Sequence, residues 1–543
     1  MTGRHASAAT GRASAEVDET ARSPSTTRRT RSRALGAALC GLVSAAFGLG
    51  IAELAAALIR PEASPVIAVG NAAIAASPQS VKDFAIRNFG TGDKPVLVAG
   101  IVVVLAIAAM IVGVIGLTHR TAAALAALAL GVVGAVAALT GSSVHPLDAA
   151  PSLLAGIGAT AVLMMLLNRL DQIPAPADPV TGAIDRGNLD RRRVLVAGGL
   201  TAAAAVIAGV GGRFLERTHF QALASRSKIR LPKPASPVRP LPAGASLDVP
   251  GLSPFLTTNS AFYRVDTALV VPQVVADTWR LRIHGMVDNP MTLSFRDLTA
   301  RKLIERDITL TCVSNEVGGP YVSTATFLGA PLADLLREAK VRPGAQQIAS
   351  RSVDGWTSGT PTSVVMDGRD AMLAIGMNGV PLPVEHGFPV RMVVPGLYGY
   401  VSATKWLVDL ELTTFGAFDS YWVQRGWSQQ APIKTESRID TPQSGADLTR
   451  GRIPIAGIAW AQHRGIRKVE VRVDDGPWHE ATLALEPSAD TWRQWVWRWD
   501  ATAGQHTLAV RATDDEGVTQ TSAVADPVPN GATGWHTIQV SVQ

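Results

Sequence analysis

The chain has 543 residues, of which 47% are apolar and only 5% aromatic, with 34 prolines and a net charge of +6. That length leaves room for more than one domain, a mean hydropathy of +0.19 points to membrane segments, and the prolines argue against a purely membranous protein. Two cysteines, Cys40 and Cys312, exclude a disulfide framework and an iron–sulfur ligand set.

Residues 1–33 carry seven arginines and three acids among Ser, Thr and Ala, a basic tail too polar to build a core. A nucleic-acid arm is the rival, but an apolar span comes at once and basic flanks on such spans are expected, so no nucleic-acid partner is predicted. Residues 34–213 read as a five-helix transmembrane region, with spans at about 35–58, 96–117, 122–140, 151–167 and 194–210. Arginine-rich flanks place the tail and the loop with Arg169, Arg186 and Arg191–Arg193 in the cytoplasm. An odd number of spans then puts the rest of the chain outside: a multi-pass plasma-membrane protein with an extracytoplasmic domain. The last span, preceded by Arg191, Arg192 and Arg193, resembles a twin-arginine export signal; an ordinary stop-transfer helix fits the pattern equally well. His119 and His145 stand in loops and no Cys-x-x-Cys-His occurs, so no haem site is expected. The spans read as an anchor, or as a docking surface for a quinone or an electron-transfer partner.

A Pro-, Lys- and Arg-rich stretch, 214–250, reads as a semi-rigid tether. From 251 to 425 short strands alternate with few helices, the pattern of an α+β domain. Within it a β-type run from Asp307 delivers Cys312 to a turn of Ser314, Asn315, Gly318 and Gly319. Alone, such a thiol is either a buried inert side chain, a nucleophile or a soft metal ligand.

Three downstream runs narrow the choice. Ser352-Val-Asp-Gly-Trp356, Met377-Asn-Gly-Val-Pro through Glu385-His-Gly-Phe-Pro-Val-Arg391, and Val394-Pro-Gly-Leu-Tyr-Gly-Tyr-Val-Ser-Ala-Thr-Lys405 come in this order after the cysteine. The series resembles the sulfite oxidase family of molybdopterin enzymes, from about Asn259 to the C-terminus. The resemblance implies a molybdenum–molybdopterin cofactor with Cys312 as the protein thiolate on the metal. It further implies cofactor contacts from Asn259, Tyr263, His386, Arg391, Ser402 and Lys405, the last four matching positions around the pterin and its phosphate tail. Arg offers a planar fork there and Lys a point charge.

Among sulfite-oxidising members the resemblance implies arginines and a tyrosine around the metal. Arg264 keeps one arginine and Asn315 survives, but the arginine pair after the asparagine is replaced by Glu316 and Val317, and Trp356 stands at the tyrosine position. A carboxylate there repels a dianion. The expected catalytic set is therefore Cys312, Arg264, Asn315 and Trp356, acting in two-electron oxygen-atom transfer on a small-molecule or sulfoxide-type substrate other than sulfite. Reduction of a sulfoxide such as protein methionine sulfoxide is the alternative. A cofactor-free binding or scaffold module on the same fold is a second one.

Residues 426–543 turn all-β. Runs at 453–460, 468–473, 491–499, 506–512 and 537–542 alternate at period two with turns between, which predicts about seven strands in an immunoglobulin-like sandwich. Seven of the chain's tryptophans lie from 431 on, read as core and interface rather than a carbohydrate platform. The resemblance implies homodimerisation through this domain.

Overall fold

The computed structural model describes residues 24–78, 92–141, 145–172 and 222–543, with scattered positions at 81–89 and 196–209. The chain divides into two compact units, a helical one near the N-terminus and a larger one that holds the β-strands.

In the first unit, helices Arg31–Ile59, Lys94–Ile115, Arg120–Leu139 and Pro146–Asp171 are long and apolar enough to cross a membrane. They coincide with the first four expected spans; the fifth span falls largely outside the described residues, and Arg191–Arg193 lie wholly outside them. A fifth apolar helix does occur elsewhere, at Pro65–Ala76, where the sequence suggested only a loop. Its proline sits at the first helical position, where a missing N–H costs nothing, and its 12 residues are too few to span. The long helices pack through small residues: a Cβ on Gly41 or Gly113 would collide with the facing backbone at Ala109 or Ala37. Large apolar side chains such as Val104, Leu125 and Ile157 point outward, which agrees with membrane association of these helices.

In the second unit, two five-stranded sheets build the α+β part. One runs in the order β2 (Met291–Ser294), β1 (Arg280–Gly285), β10 (Leu407–Thr413), β5 (Gln347–Ser352) and β6 (Thr357–Pro361). The other runs β3 (Ile304–Thr311), β4 (Val322–Pro331), β7 (Met372–Met377) and β8 (Val380–Pro381), with β9 (Arg391–Val393) also on β7. Two of the short helices here are amply anchored. Phe295–Thr299 starts with a capping box between Ser294 and Asp297, and Leu332–Ala339 buries Leu332, Leu335, Leu336 and Ala339.

The stretch read as a tether is not free where it is described. Ala222 is buried in the core, Arg226 donates to the carbonyls of Pro381 and Leu382, and Ala235–Ser236 pairs along the outer edge of β3 at Leu303–Glu305. Edge strands present unpaired backbone groups, and this proline-rich extended chain supplies partners for them.

The C-terminal part forms the expected sandwich, from nine strands rather than seven. One sheet is β11 (Glu436–Thr441), β13 (Gly451–Trp460), β17 (Arg493–Ala501) and β16 (Thr482–Leu483). The other is β12 (Asp447–Leu448), β19 (His536–Val542), β18 (Gly504–Asp514), β14 (Ile466–Val473) and β15 (Trp478–Glu480). All five alternating runs are strands. Trp460 and Trp492 belong to the same buried cluster as Leu397 and Tyr398 of the α+β part, so the junction is core rather than linker.

Candidate functional site

Strand β3 is the element that presents Cys312. Antiparallel pairing with β4 runs without a break from Ile304↔Gly329 to Thr311↔Val322 and stops there. Beyond it the Cys312 N–H still donates to Tyr321 O at 2.9 Å, while the chain turns: Asn315 N–H donates to Cys312 O at 3.1 Å and Asn315 Oδ1 accepts from Tyr321 N at 2.7 Å. Gly318 has φ of +77°, and a Cβ there would run into the His536 imidazole. The thiol is 9% exposed. Burial pushes its pKa up, with hydrogen bonds from Ser314 pulling the other way.

Three further segments converge on this turn. In the first, Asn259 O lies 3.0 Å from His386 Nε2, Asn259 Oδ1 accepts from Asn378 Nδ2 at 2.8 Å, and the Tyr263 hydroxyl lies in the field of both Cys312 and Arg391. Burial drives the Tyr263 phenol far above its usual range. The second, between β8 and β9, brings His386 and Arg391. His386 is buried and edge-on to Phe262, and burial with the Arg391 charge lowers its pKa to about 4, so it is neutral at pH 7. Arg391 is 5% exposed; Nη1 and Nη2 reach only the carbonyls of His386 and Ala403, at 3.3 and 3.5 Å, and Nε has no partner. Burial pulls its pKa down to about 10. In the third, Gly399 comes close to both Thr311 O and the Tyr263 hydroxyl, each 3.7 Å from where its Cβ would be. Lys405 comes next, with Nζ on Asp266 Oδ2 at 2.7 Å and on Glu385 O at 3.2 Å. Burial lowers the Lys405 pKa to about 8, against the pull of Asp266. Asp266 is held well below the carboxylate range: burial opposes this, but Lys405, Lys94 and Arg264 outweigh it.

The structure thus gathers Cys312, Asn315, Tyr263, Asn259, His386, Arg391 and Lys405. Two predicted residues turn their side chains to other partners. Ser402 was expected to offer hydroxyl or backbone contacts to a cofactor; its hydroxyl is fully buried and shared between Leu397 O at 2.9 Å and Tyr398 O at 3.0 Å, closing its own turn. Arg264 was expected beside the metal; its Nε instead meets Asp266 Oδ2 at 2.8 Å on the Lys405 side. The Trp356 ring packs half-buried on the α+β core. The sequence reading missed Asp266, which ties Arg264 to Lys405, and Asn378, which fixes Asn259 from a turn at φ of +51°. The Asn378-Gly379 turn signal was visible; nothing in the pattern marked Asp266.

Comparison with known proteins gives two family matches. Residues 268–422 match the oxidoreductase molybdopterin binding domain, and residues 436–510 match a bacterial Ig domain. The chain is 30% identical over 341 residues to the mitochondrial sulfite oxidase of Rattus norvegicus; the match covers 53% of this chain and spans only 62% of that protein's length. It is 33% identical over 149 residues to the uncharacterized oxidoreductase YuiH of Bacillus subtilis, covering 27% of this chain and 72% of that one. With the NADPH nitrate reductase of Emericella nidulans it shares 35% over 183 residues, 29% of this chain and 21% of the relative.

Proposed function

Because the chain belongs to the sulfite oxidase family of molybdopterin-dependent oxidoreductases, we propose that it is a membrane-anchored member that acts on a substrate other than sulfite. The family's cofactor is molybdenum–molybdopterin, and the residues here suit it. Arg391 Nε and Asn315 Nδ2 are buried donors without partners, an arrangement that costs about 1–3 kcal/mol for each neutral group and more for a charged one. Such donors, Asn315 in the turn after the buried thiol and Arg391 within the field of Tyr263, fit an anionic, sulfur-bound group. In this proposal Cys312 ligates the metal while Arg391, Lys405, His386, Asn259 and Tyr263 hold the pterin and its phosphate. When bound, the cofactor would supply a two-electron change coupled to oxygen-atom transfer.

The chain's own residues then set what can enter. Neutral His386 can donate from one ring nitrogen and accept at the other. Lys405, with its lowered pKa, can give up a proton near neutral pH more readily than a surface lysine. Glu316 is exposed four residues past the thiol, where a sulfite dianion would meet a negative charge and a neutral or cationic substrate would not. This carboxylate also favours the second reading, a sulfoxide reductase, since a sulfoxide is neutral. Arginine placement around the spans supports an extracytoplasmic domain; a phosphatase reporter fused after Gln543 should then be active, and an inactive one would reverse the orientation.

The observation that carries the proposal is the buried Cys312 at the end of β3 with the unpartnered donors of Arg391 and Asn315. The test is molybdenum and pterin analysis of detergent-purified protein beside a Cys312→Ala variant. About one molybdenum per chain, with its signal lost or altered in the variant, is the expected outcome. Metal-free protein from a cofactor-competent host would reject it and leave the binding-module alternative.

A further inference from the structure

Strand β3 is the edge of its sheet, and its outer backbone groups need partners. Near its start the extended segment at Ala235–Ser236 provides them; near its end the sandwich does. Thr309 N–H donates to Asp490 O at 2.9 Å, and Thr309 Oγ1 accepts from Trp492 N–H at 2.7 Å. Thr309 O accepts from Gln462 Nε2 at 3.2 Å, and the same Nε2 donates to Thr311 Oγ1 at 2.8 Å. A carbonyl can only accept, so Thr309 O fixes which end of the amide faces the strand.

Gln462 is fully buried, and its Oε1 has no partner. A half-satisfied buried amide is costly, so the position is held for its donor side. The turn that carries it, just after β13, is wedged tightly. His463 has φ of +71° and its Nδ1 lies 3.1 Å from Asp490 Oδ1. On the other side a Cβ on Gly396 would sit 3.0 Å from His463 Cβ and 3.3 Å from Gln462 O. The backbone that carries the Gln462 amide is therefore held from both sides. Thr309 and Thr311 share one face of β3, and the alternation of a strand puts the next residue, Cys312, toward the other.

We infer that Gln462 is a positioning residue for Cys312: its amide, beside the backbone contacts from Asp490 and Trp492, fixes the strand end from which the thiol is presented. This rests on the proposed role of Cys312 as the metal ligand only for its consequence in catalysis; the placement of the thiol is testable without metal. The conservative probe is Gln462→Met, which keeps the volume and removes both hydrogen bonds. In full-length protein made without the pterin cofactor, Cys312 alkylation by iodoacetamide, measured by peptide mass spectrometry, should rise about fivefold or more while Cys40 serves as internal reference. In cofactor-loaded protein the thiolate-to-metal absorption should shift at unchanged molybdenum content, which loss of stability alone would not produce. Wild-type rates and spectrum in a folded Gln462→Met protein would overturn the inference. Should that variant not fold, Thr311→Val removes the shorter bond alone, and the same readouts decide in the same way. If the wild type proves free of molybdenum, the ligand assignment fails, yet the alkylation rates still judge the role of Gln462.

Discussion

Arg391 shows how a single residue can be poorly placed for folding and well placed for binding. It is 5% exposed, its ring neighbour Phe327 lies 5.8 Å from the guanidinium carbon, and its Nε is unpartnered. Removing a buried charge that lacks full compensation often stabilises a protein, whereas a bound anion needs that charge. Arg391→Met should therefore raise the thermal midpoint of cofactor-free protein, by about 1–3 kcal/mol in unfolding free energy, and abolish pterin retention. Calorimetry on cofactor-free protein and pterin fluorescence after purification check the two halves; a lowered midpoint would contradict the argument. The motif made this arginine legible from the sequence. It did not mark Asp266, two residues past Arg264, as the carboxylate that also receives the Lys405 ammonium from 139 residues away.

Among the elements, those with a strong period were readable. The alternating runs of the sandwich and the strand before Cys312 appear where expected, since side chains that alternate between core and solvent leave a period-two trace. The apolar spans were readable too, but not what holds them together. Gly113 and Gly41 permit backbone contact between two of the helices, and in lipid such close packing replaces the hydrophobic effect as the adhesive. Gly113→Leu should separate these helices, at a cost of about 2 kcal/mol or more. Protease resistance of the N-terminal region in detergent should fall, while unfolding of the β-rich unit stays as in wild type. Unchanged resistance would mean that this contact contributes little. The helix Pro65–Ala76 escaped notice because its 12 residues fall short of a span and carry no amphipathic period.

Across the whole molecule, stability should track pH through a few buried groups. Burial lowers His386 and His536 to about 4, so the unfolded chain binds more protons between pH 4 and 6.5 and stability rises with pH across that window. Glu436 acts in the opposite sense. It is buried at the junction with an unpartnered Oε1, and burial, only partly offset by Lys434, raises its pKa to about 8. The folded state then binds the extra proton from pH 4.5 to 8, and stability is lost as pH rises through that range. Glu436→Gln should leave stability little changed at pH 4.5 and gain on wild type steadily up to pH 8, by a few kcal/mol at most. Denaturant midpoints measured at both values test it, and a difference independent of pH would exclude Glu436 as the titrating group.

Local periods, composition and contiguous motifs were enough to specify the order of parts, the apolar spans, the thiol-bearing strand and the family with its cofactor. Long-range packing was needed for the rest: that the stretch before the α+β domain lies against β3 where it is described, and that the sandwich reaches the strand of Cys312 through Asp490, Trp492 and Gln462. The physical reason is range. A buried hydrogen-bond donor or charge takes whichever acceptor the packed core brings to it, and the partners of Thr309 and Thr311 come from more than 150 residues along the chain, where no local pattern can name them.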